Sequence, residues 1–192
     1  MENYIKSVQI GNQIWMVENL NVDRFRNGSL IPEARTNEEW QKAGDNHLPA
    51  WCYYNNDPAH GTKYGKLYNW YAVNDPRGLA SEGWHIPSDN EWTVLEDYLG
   101  GEEAVGHKMR STSGWGWNEN DNGSNTSGFS GLPGGNRNFI GTFKNIGHYG
   151  YWWSSTEGST GRARLRCLDI HNGIVSYFKI KQNGFSVRCL RD

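Results

Sequence analysis

Tyr149-Gly-Tyr-Trp-Trp-Ser-Ser-Thr156 and Gly184-Phe-Ser-Val-Arg-Cys-Leu-Arg-Asp192 bracket the last third of the chain. Both read as dense, packed framework. Between them, residues 157–183 show little apolar patterning and a mixture of polar and bulky side chains: Gly158-Ser-Thr-Gly-Arg-Ala-Arg164, Asp169-Ile-His-Asn172 and Ser176-Tyr-Phe-Lys-Ile-Lys-Gln182. A rigid frame around a chemically mixed surface suits recognition, because a pre-organised site loses less entropy on binding. The contrast favours binding over catalysis.

Upstream, residues 4–10 and 13–20 alternate as a β-hairpin around the turn Gly11-Asn12. Thr36-Asn-Glu-Glu39 is a capping box ahead of Trp40, and Gly44 is placed to end that short helix. Ser88-Asp-Asn-Glu91 is a second capping box. It opens a helix with Trp92, Leu95, Tyr98 and Leu99 on one stripe, stopped by Gly100-Gly101. A weaker helix over 102–110 is interrupted by Gly106. Residues 111–135 are rich in Gly, Ser and Asn but carry Trp115, Trp117, Phe129 and Leu132 as anchors. That predicts a long ordered loop, since a linker would lack the aromatics. The remainder predicts strands near 138–144, 149–155, 162–170, 174–180 and 184–190, all in a single domain over 1–192.

Only 36% of the 192 residues are hydrophobic, but ten Trp, ten Tyr and six Phe supply the bulk of a core. A net charge of −2 lacks the basic footprint of a nucleic-acid binder. Arg162, Arg164 and Arg166 form the one local basic cluster and read as solvated or ion-paired strand residues. Cys52, Cys167 and Cys189 give neither a disulfide framework nor a zinc spacing, and one bridge such as Cys52–Cys189 stays open. Cys189 alternates with Val187 toward one face and reads as buried. Met1-Glu-Asn-Tyr-Ile-Lys6 is not a secretory signal, and no stretch approaches the roughly 20 apolar residues of a membrane span.

Six blocks carry a family resemblance: Gly11-Asn-Gln-Ile-Trp-Met-Val-Glu-Asn-Leu20, Tyr64-Gly-Lys-Leu-Tyr-Asn-Trp-Tyr71, Gly83-Trp-His-Ile-Pro-Ser-Asp-Asn-Glu-Trp92, Gly128-Phe-Ser-Gly-Leu-Pro-Gly-Gly135, Trp152-Trp-Ser-Ser-Thr-Glu157 and Gly184-Phe-Ser-Val-Arg-Cys189. In that order, across nearly the whole chain, they resemble the FISUMP (major paralogous) domain. The Trp84–Trp92 block also resembles formylglycine-generating-enzyme-like domains. Both groups belong to the C-type lectin-like fold. The resemblance implies an α+β domain with two early helices, paired N- and C-terminal strands and a long irregular loop region supporting a distal binding face. Some members are variable proteins of diversity-generating retroelements, mutagenised between the last two blocks at codons that cannot yield Lys, Gln, Glu, Met or Trp. Residues 158–171 contain none of these five. Lys179, Lys181 and Gln182 depart from that pattern and are assigned to framework, with Ala163, Arg166 and Leu168. Cys167, unpaired on what reads as an exposed strand, fits a sampled position.

Other chemistry is weaker. Cys167 and Cys189 lie outside the cysteine motif of a formylglycine-type oxidase. His85 reads as a hydrogen-bonding residue at a helix start, and Ser154 and Ser155 as backbone partners in a packed corner. The loop Asn118–Asn125 offers oxygen ligands but fails the twelve-residue calcium pattern, whose last position would be Phe129. Trp115 and Trp117 read as core anchors, with sugar stacking the other possibility.

The expectation is a non-enzymatic recognition protein without cofactor or metal. Its surface is formed by Gly158, Ser159, Thr160, Arg162, Arg164, Leu165, Cys167, Asp169, Ile170, His171, Ser176, Tyr177, Phe178 and Ile180. Tyr177, Phe178 and the arginines are the expected hot spots. The expected partner is a protein or glycan on another cell surface, with no nucleic acid and no membrane insertion. The expected setting is a phage tail tip or a cell surface. A carbohydrate-associated module without a diversified site is the competing reading.

Overall fold

The computed structural model describes residues 5–171 and 173–192, the side chains of residues 102 and 103 excepted. Residue 4, where the expected first strand starts, and residue 172, inside the mixed segment, lie outside the described residues.

β1 (Ser7–Ile10) and β2 (Gln13–Met16) form the expected hairpin. Its turn needs Gly11, whose φ of 62° lies in the left-handed region. α1 (Asn37–Asp45) starts at the reciprocal Thr36/Glu39 capping box. It runs one residue past Gly44, which instead gives room to Gln182: a Cβ there would meet the Gln182 Cγ at 2.7 Å.

Between Gly44 and Ser88 the sequence reading assigned no element. The structure forms β3 (Trp51–Cys52), α2 (Pro58–Tyr64), β4 (Leu67–Tyr68), α3 (Trp70–Val73) and β5 (Trp84–His85) there. These pieces are too short to show a period. Caps hold them: Asp57 accepts from the Ala59 N–H and Asn69 from the Ala72 N–H.

α4 (Asp89–Tyr98) opens at the Ser88/Glu91 box, and Trp92, Leu95 and Leu99 are buried as expected. Tyr98 is not: it is 65% exposed, on the flank of the stripe, and its ring lies over Gly11. α5 (Glu102–Met109) runs through Gly106 without the expected break. In the long loop that follows, Trp115 and Phe129 are buried anchors and Leu132 is half-buried. β6 (Gly134–Arg137) and β7 (Phe143–Ile146) then pair antiparallel. The strand expected over 138–144 is mostly their connection, closed by a hydrogen bond from the Asn138 N–H to the Thr142 carbonyl.

β8 (Tyr149–Ser159), β9 (Arg162–Asp169) and β10 (Ile174–Ile180) form an antiparallel sheet in the order β10-β9-β8, which leaves β10 on an edge. The strand expected over 184–190 shrinks to isolated bridges and then β11 (Leu190–Arg191). β11 joins the chain ends: Leu190 pairs with Trp15 of β2 on one side and His85 of β5 on the other, in the order β1-β2-β11-β5. The architecture is mixed α+β, with helices and several small antiparallel sheets.

Two aromatic cores sandwich β8 and β9. On one side Trp15, Trp92, Phe129 and Trp152 interlock, with Trp15 and Trp92 centroids 4.7 Å apart. On the other, Trp153 stacks edge-on against Phe185 at 4.7 Å, and its indole N–H donates to the Tyr68 carbonyl. Arg188 is fully buried, without a paired carboxylate among the described residues. It donates to Asn19 Oδ1 and the Phe129 carbonyl and lies over the Phe129 ring, and burial pushes its guanidinium down to about 9. Cys52, Cys167 and Cys189 are all buried free thiols, so the bridge left open by the sequence is not formed.

Candidate ligand-binding site

Successive side chains of a strand point to opposite faces. On β9, Ala163, Leu165 and Cys167 face the Trp153–Phe185 core, while Leu168 packs with Trp152 and Trp92. The arginines lie on the Leu168 side, toward α4. β10 follows in register: Ser176 sits opposite Arg166, Tyr177 opposite Leu165, Phe178 opposite Arg164 and Lys179 opposite Ala163.

The face toward α4 holds a graded row of arginines. Arg166 is buried and forms ion pairs with Asp89 and Glu96 of α4. It also donates to Ser176 Oγ at 2.9 Å and Thr93 Oγ1 at 3.3 Å. Arg164 is half-buried. It lies 3.3 Å from Asp89 Oδ2, donates to Ser176 Oγ, and stacks its guanidinium over Phe178 at 4.3 Å. Arg162 is exposed. Phe178, 43% exposed, closes over Gly158, where a Cβ would stand 2.3 Å from its ring. Gly158 therefore seats the aromatic ring.

The opposite face holds a groove. Tyr149 and Tyr151, two apart on β8, have rings 5.7 Å apart and within 7° of parallel. Tyr177, 44% exposed, and Lys179 rise from β10 beside them, with the Lys179 Nζ 5.6 Å from the Tyr177 ring. These four, with Cys167 and Asn145, line a depression of about 310 Å³. A second, of about 210 Å³, shares Asn145, Tyr151 and Lys179 and continues past Asn136, Asn138, Lys144 and Asn183. Asn145 donates to the Tyr151 hydroxyl at 3.0 Å and to Asn136 Oδ1 at 3.2 Å. Burial raises the Tyr151 and Tyr177 hydroxyls above the usual tyrosine range, so both stay protonated donors.

The surface expected from sequence is therefore divided by the pleat. Leu165 and Cys167 are corrected: both are buried in the core, because β9 is the central strand and is covered on both faces. Ser176 is spent on the two arginines. Ile170 packs against the Trp15–Trp92 cluster. Asp169 is half-buried; its Oδ1 accepts from the His171 N–H at 2.8 Å, and its carbonyl accepts from Arg110. Exposed residues are Gly158, Ser159, Thr160, Arg162, His171, Tyr177 and Phe178, with Ile180 half-buried at the strand end. Lys179, assigned to framework, stands exposed in the groove. Lys181 is framework as expected, buried and paired with Glu157. Tyr149, Tyr151 and the groove asparagines escaped the sequence reading. The alternation of Tyr149 and Tyr151 with Gly150 and Trp152 was the available signal.

Trp117 is a second correction. It is no core anchor but 84% exposed, tilted against His148 at 4.2 Å. The Asp121 carboxylate accepts from the Trp117 and Asn118 N–H groups, so it tightens the loop. His85 does bridge a helix start: its two ring nitrogens meet Asp192 at 2.7 Å and Glu91 at 2.9 Å. Ser154 serves the backbone, accepting from the Thr156 N–H. Burial pushes each of the three thiols up to about 12.

A protein-family model described as the Fibrobacter succinogenes major domain (Fib_succ_major) matches residues 8–191. No curated protein and no solved structure matches the chain.

Proposed function

The chain belongs to the Fibrobacter succinogenes major domain family, and from that premise we propose that it is a non-enzymatic recognition protein of C-type lectin-like fold. Its contact surface is the β10 edge with the β8–β9 turn. One observation carries the reading. Tyr177 and Phe178 are consecutive, 44% and 43% exposed, and stand on a sheet whose inner residues Trp152, Trp153 and Leu165 are fully buried. Large aromatics cost area when left in water, and Tyr and Arg dominate binding hot spots. The rigid inner strands keep the ordering cost of binding low. The target is a protein or glycan on another cell, and the setting a phage tail tip or a cell surface. Cys52, Cys167 and Cys189 are buried, and burial pushes each thiol up, which disfavours surface thiol chemistry.

The finer reading is a retroelement variable protein. Its support is the lack of Lys, Gln, Glu, Met and Trp in residues 158–171. The burial of Leu165 and Cys167 restricts any sampled positions to the exposed ones. A near-copy of this coding segment beside a reverse transcriptase gene tests it, and a locus lacking both rejects it. The exposed Trp117 favours the second reading, a carbohydrate-associated module, since an indole face stacks on sugar rings.

The primary test is binding of labelled protein to a panel of bacterial envelopes and glycans, with Tyr177→Ser and Phe178→Ser as loss variants. Binding lowered at least tenfold by either variant, with native near-UV circular dichroism, supports recognition. Binding that neither variant lowers rejects it.

A further inference from the structure

We propose that the groove on the Tyr177 face binds a saccharide bearing a carboxylate, such as a uronic-acid oligomer. The inference rests on the recognition reading above and names its ligand class. Three observations converge. The floor and wall are tyrosines: the near-parallel Tyr149 and Tyr151 rings, with Tyr177 standing beside them. Flat aromatic faces suit the C–H faces of sugar rings, and phenol hydroxyls add polar tips.

Amides dominate the rest. Asn136, Asn138, Asn145 and Asn183 line the continuation of the groove. Asn145 donates to Tyr151 and Asn136, and Asn138 Oδ1 accepts from the Thr142 N–H, so the Asn145 carbonyl oxygen and the Asn138 amide N–H groups are the ones left to meet sugar hydroxyls. Asn183 is buried, and its Oδ1 has no hydrogen-bond partner among the described residues.

The charge sets the class. Lys144 and Lys179 line the depressions and, among the described residues, no Asp or Glu does so, although the chain as a whole carries net charge −2. Asp169, opposite Tyr149, accepts from the His171 N–H, and its charge acts on Cys167 and Tyr177 at one end of the groove, so the cationic end is set by Lys144 and Lys179; Glu157 is paired with Lys181. The two lysines thus face the groove without a lining carboxylate, and electrostatic complementarity selects an anionic ligand over its neutral analogue.

The test is isothermal titration of the whole chain with oligogalacturonate, with a neutral galacto-oligosaccharide of equal length and with an acidic peptide. Lys144→Met/Lys179→Met, Asn145→Ala and, as the control, Val94→Ser on α4 are run alongside. The lysines are exposed, so the double variant keeps the fold, and a thermal melt checks this. The expected result is uronate binding that falls at least tenfold in the double variant and in Asn145→Ala, weakens with added salt, and is unchanged in Val94→Ser, an exposed position of α4 outside the contact surface. No uronate binding, equal binding of the neutral sugar, or preference for the peptide overturns the inference. If uronate is inert while envelope binding is still lost in Tyr177→Ser or Phe178→Ser, this inference fails and the recognition reading stands. If both are absent, both fail.

Discussion

Replacing Arg166 with Met separates the supporting arginine from the contacting ones. Arg166 is buried, and its guanidinium joins two carboxylates of α4, Asp89 and Glu96, to β9 and to Ser176 of β10. Met fills much of the same volume, so the cavity contribution is small. The loss is electrostatic: Glu96, itself buried, loses the cation that Arg166 supplies. Breaking a buried pair by removing one partner costs about 3–5 kcal/mol. In a protein of this length 1 kcal/mol moves the midpoint by about 2–4 °C, so Arg166→Met lowers Tm by about 6–20 °C. Arg164→Met is the control. Its side chain is one-third exposed and its contact to Asp89 is 3.3 Å. Solvent screening reduces such a pair to below ~1 kcal/mol. Calorimetric melts, with urea unfolding at constant m-value, read both variants. Arg166→Met within about 1 kcal/mol of the parent, or Arg164→Met equally costly, would refute the division of this row into support and surface.

Three further outcomes are expected. Trp115→Ala loses about 3–5 kcal/mol, since the indole is buried and donates to Ser111 and the Gly131 carbonyl, whereas exposed Trp117→Ala changes urea stability by less than about 0.5 kcal/mol; equal costs contradict the placement of Trp117. Burial opposes charging of His85, but hydrogen bonds and charges from Asp192 and Glu91 outweigh it and raise its folded pKa above the ordinary 6.5. That contribution is full below the unfolded pKa and fades as pH rises through the folded one, so the stability gap between parent and His85→Gln narrows upward from about pH 6.5; a gap that widens is the opposite of what this geometry requires. At pH 8 an aromatic disulfide reagent should titrate the three thiols only after denaturant is added, because each is buried and held near 12. Rapid reaction of Cys167 in the native protein would place it on the surface after all.

The elements with a strong local cause were legible. Both capping boxes start helices at the expected residues, and Gly11-Asn12 turns the first hairpin. The framework blocks around Trp152-Trp153 and Phe185–Cys189 form the two buried cores. Short pieces such as β3, β4 and α3 were not legible. Two to four residues carry no period, and their conformation follows from distant partners such as the Phe185 carbonyl, which accepts from the Tyr68 N–H.

For the site, the chain itself showed a mixed segment between two framework blocks, an aromatic pair at Tyr177-Phe178 and an odd number of cysteines. Which face each side chain occupies was decided only in three dimensions. Alternation gives two sides of a strand but not what covers them. β9 became central, so Leu165 and Cys167 went into the core, Arg166 was neutralised by carboxylates 70 and more residues away, and Lys179 came to stand beside Tyr149 and Tyr151. Pairing across such separations is set by packing of the whole chain, which no local pattern of residues encodes.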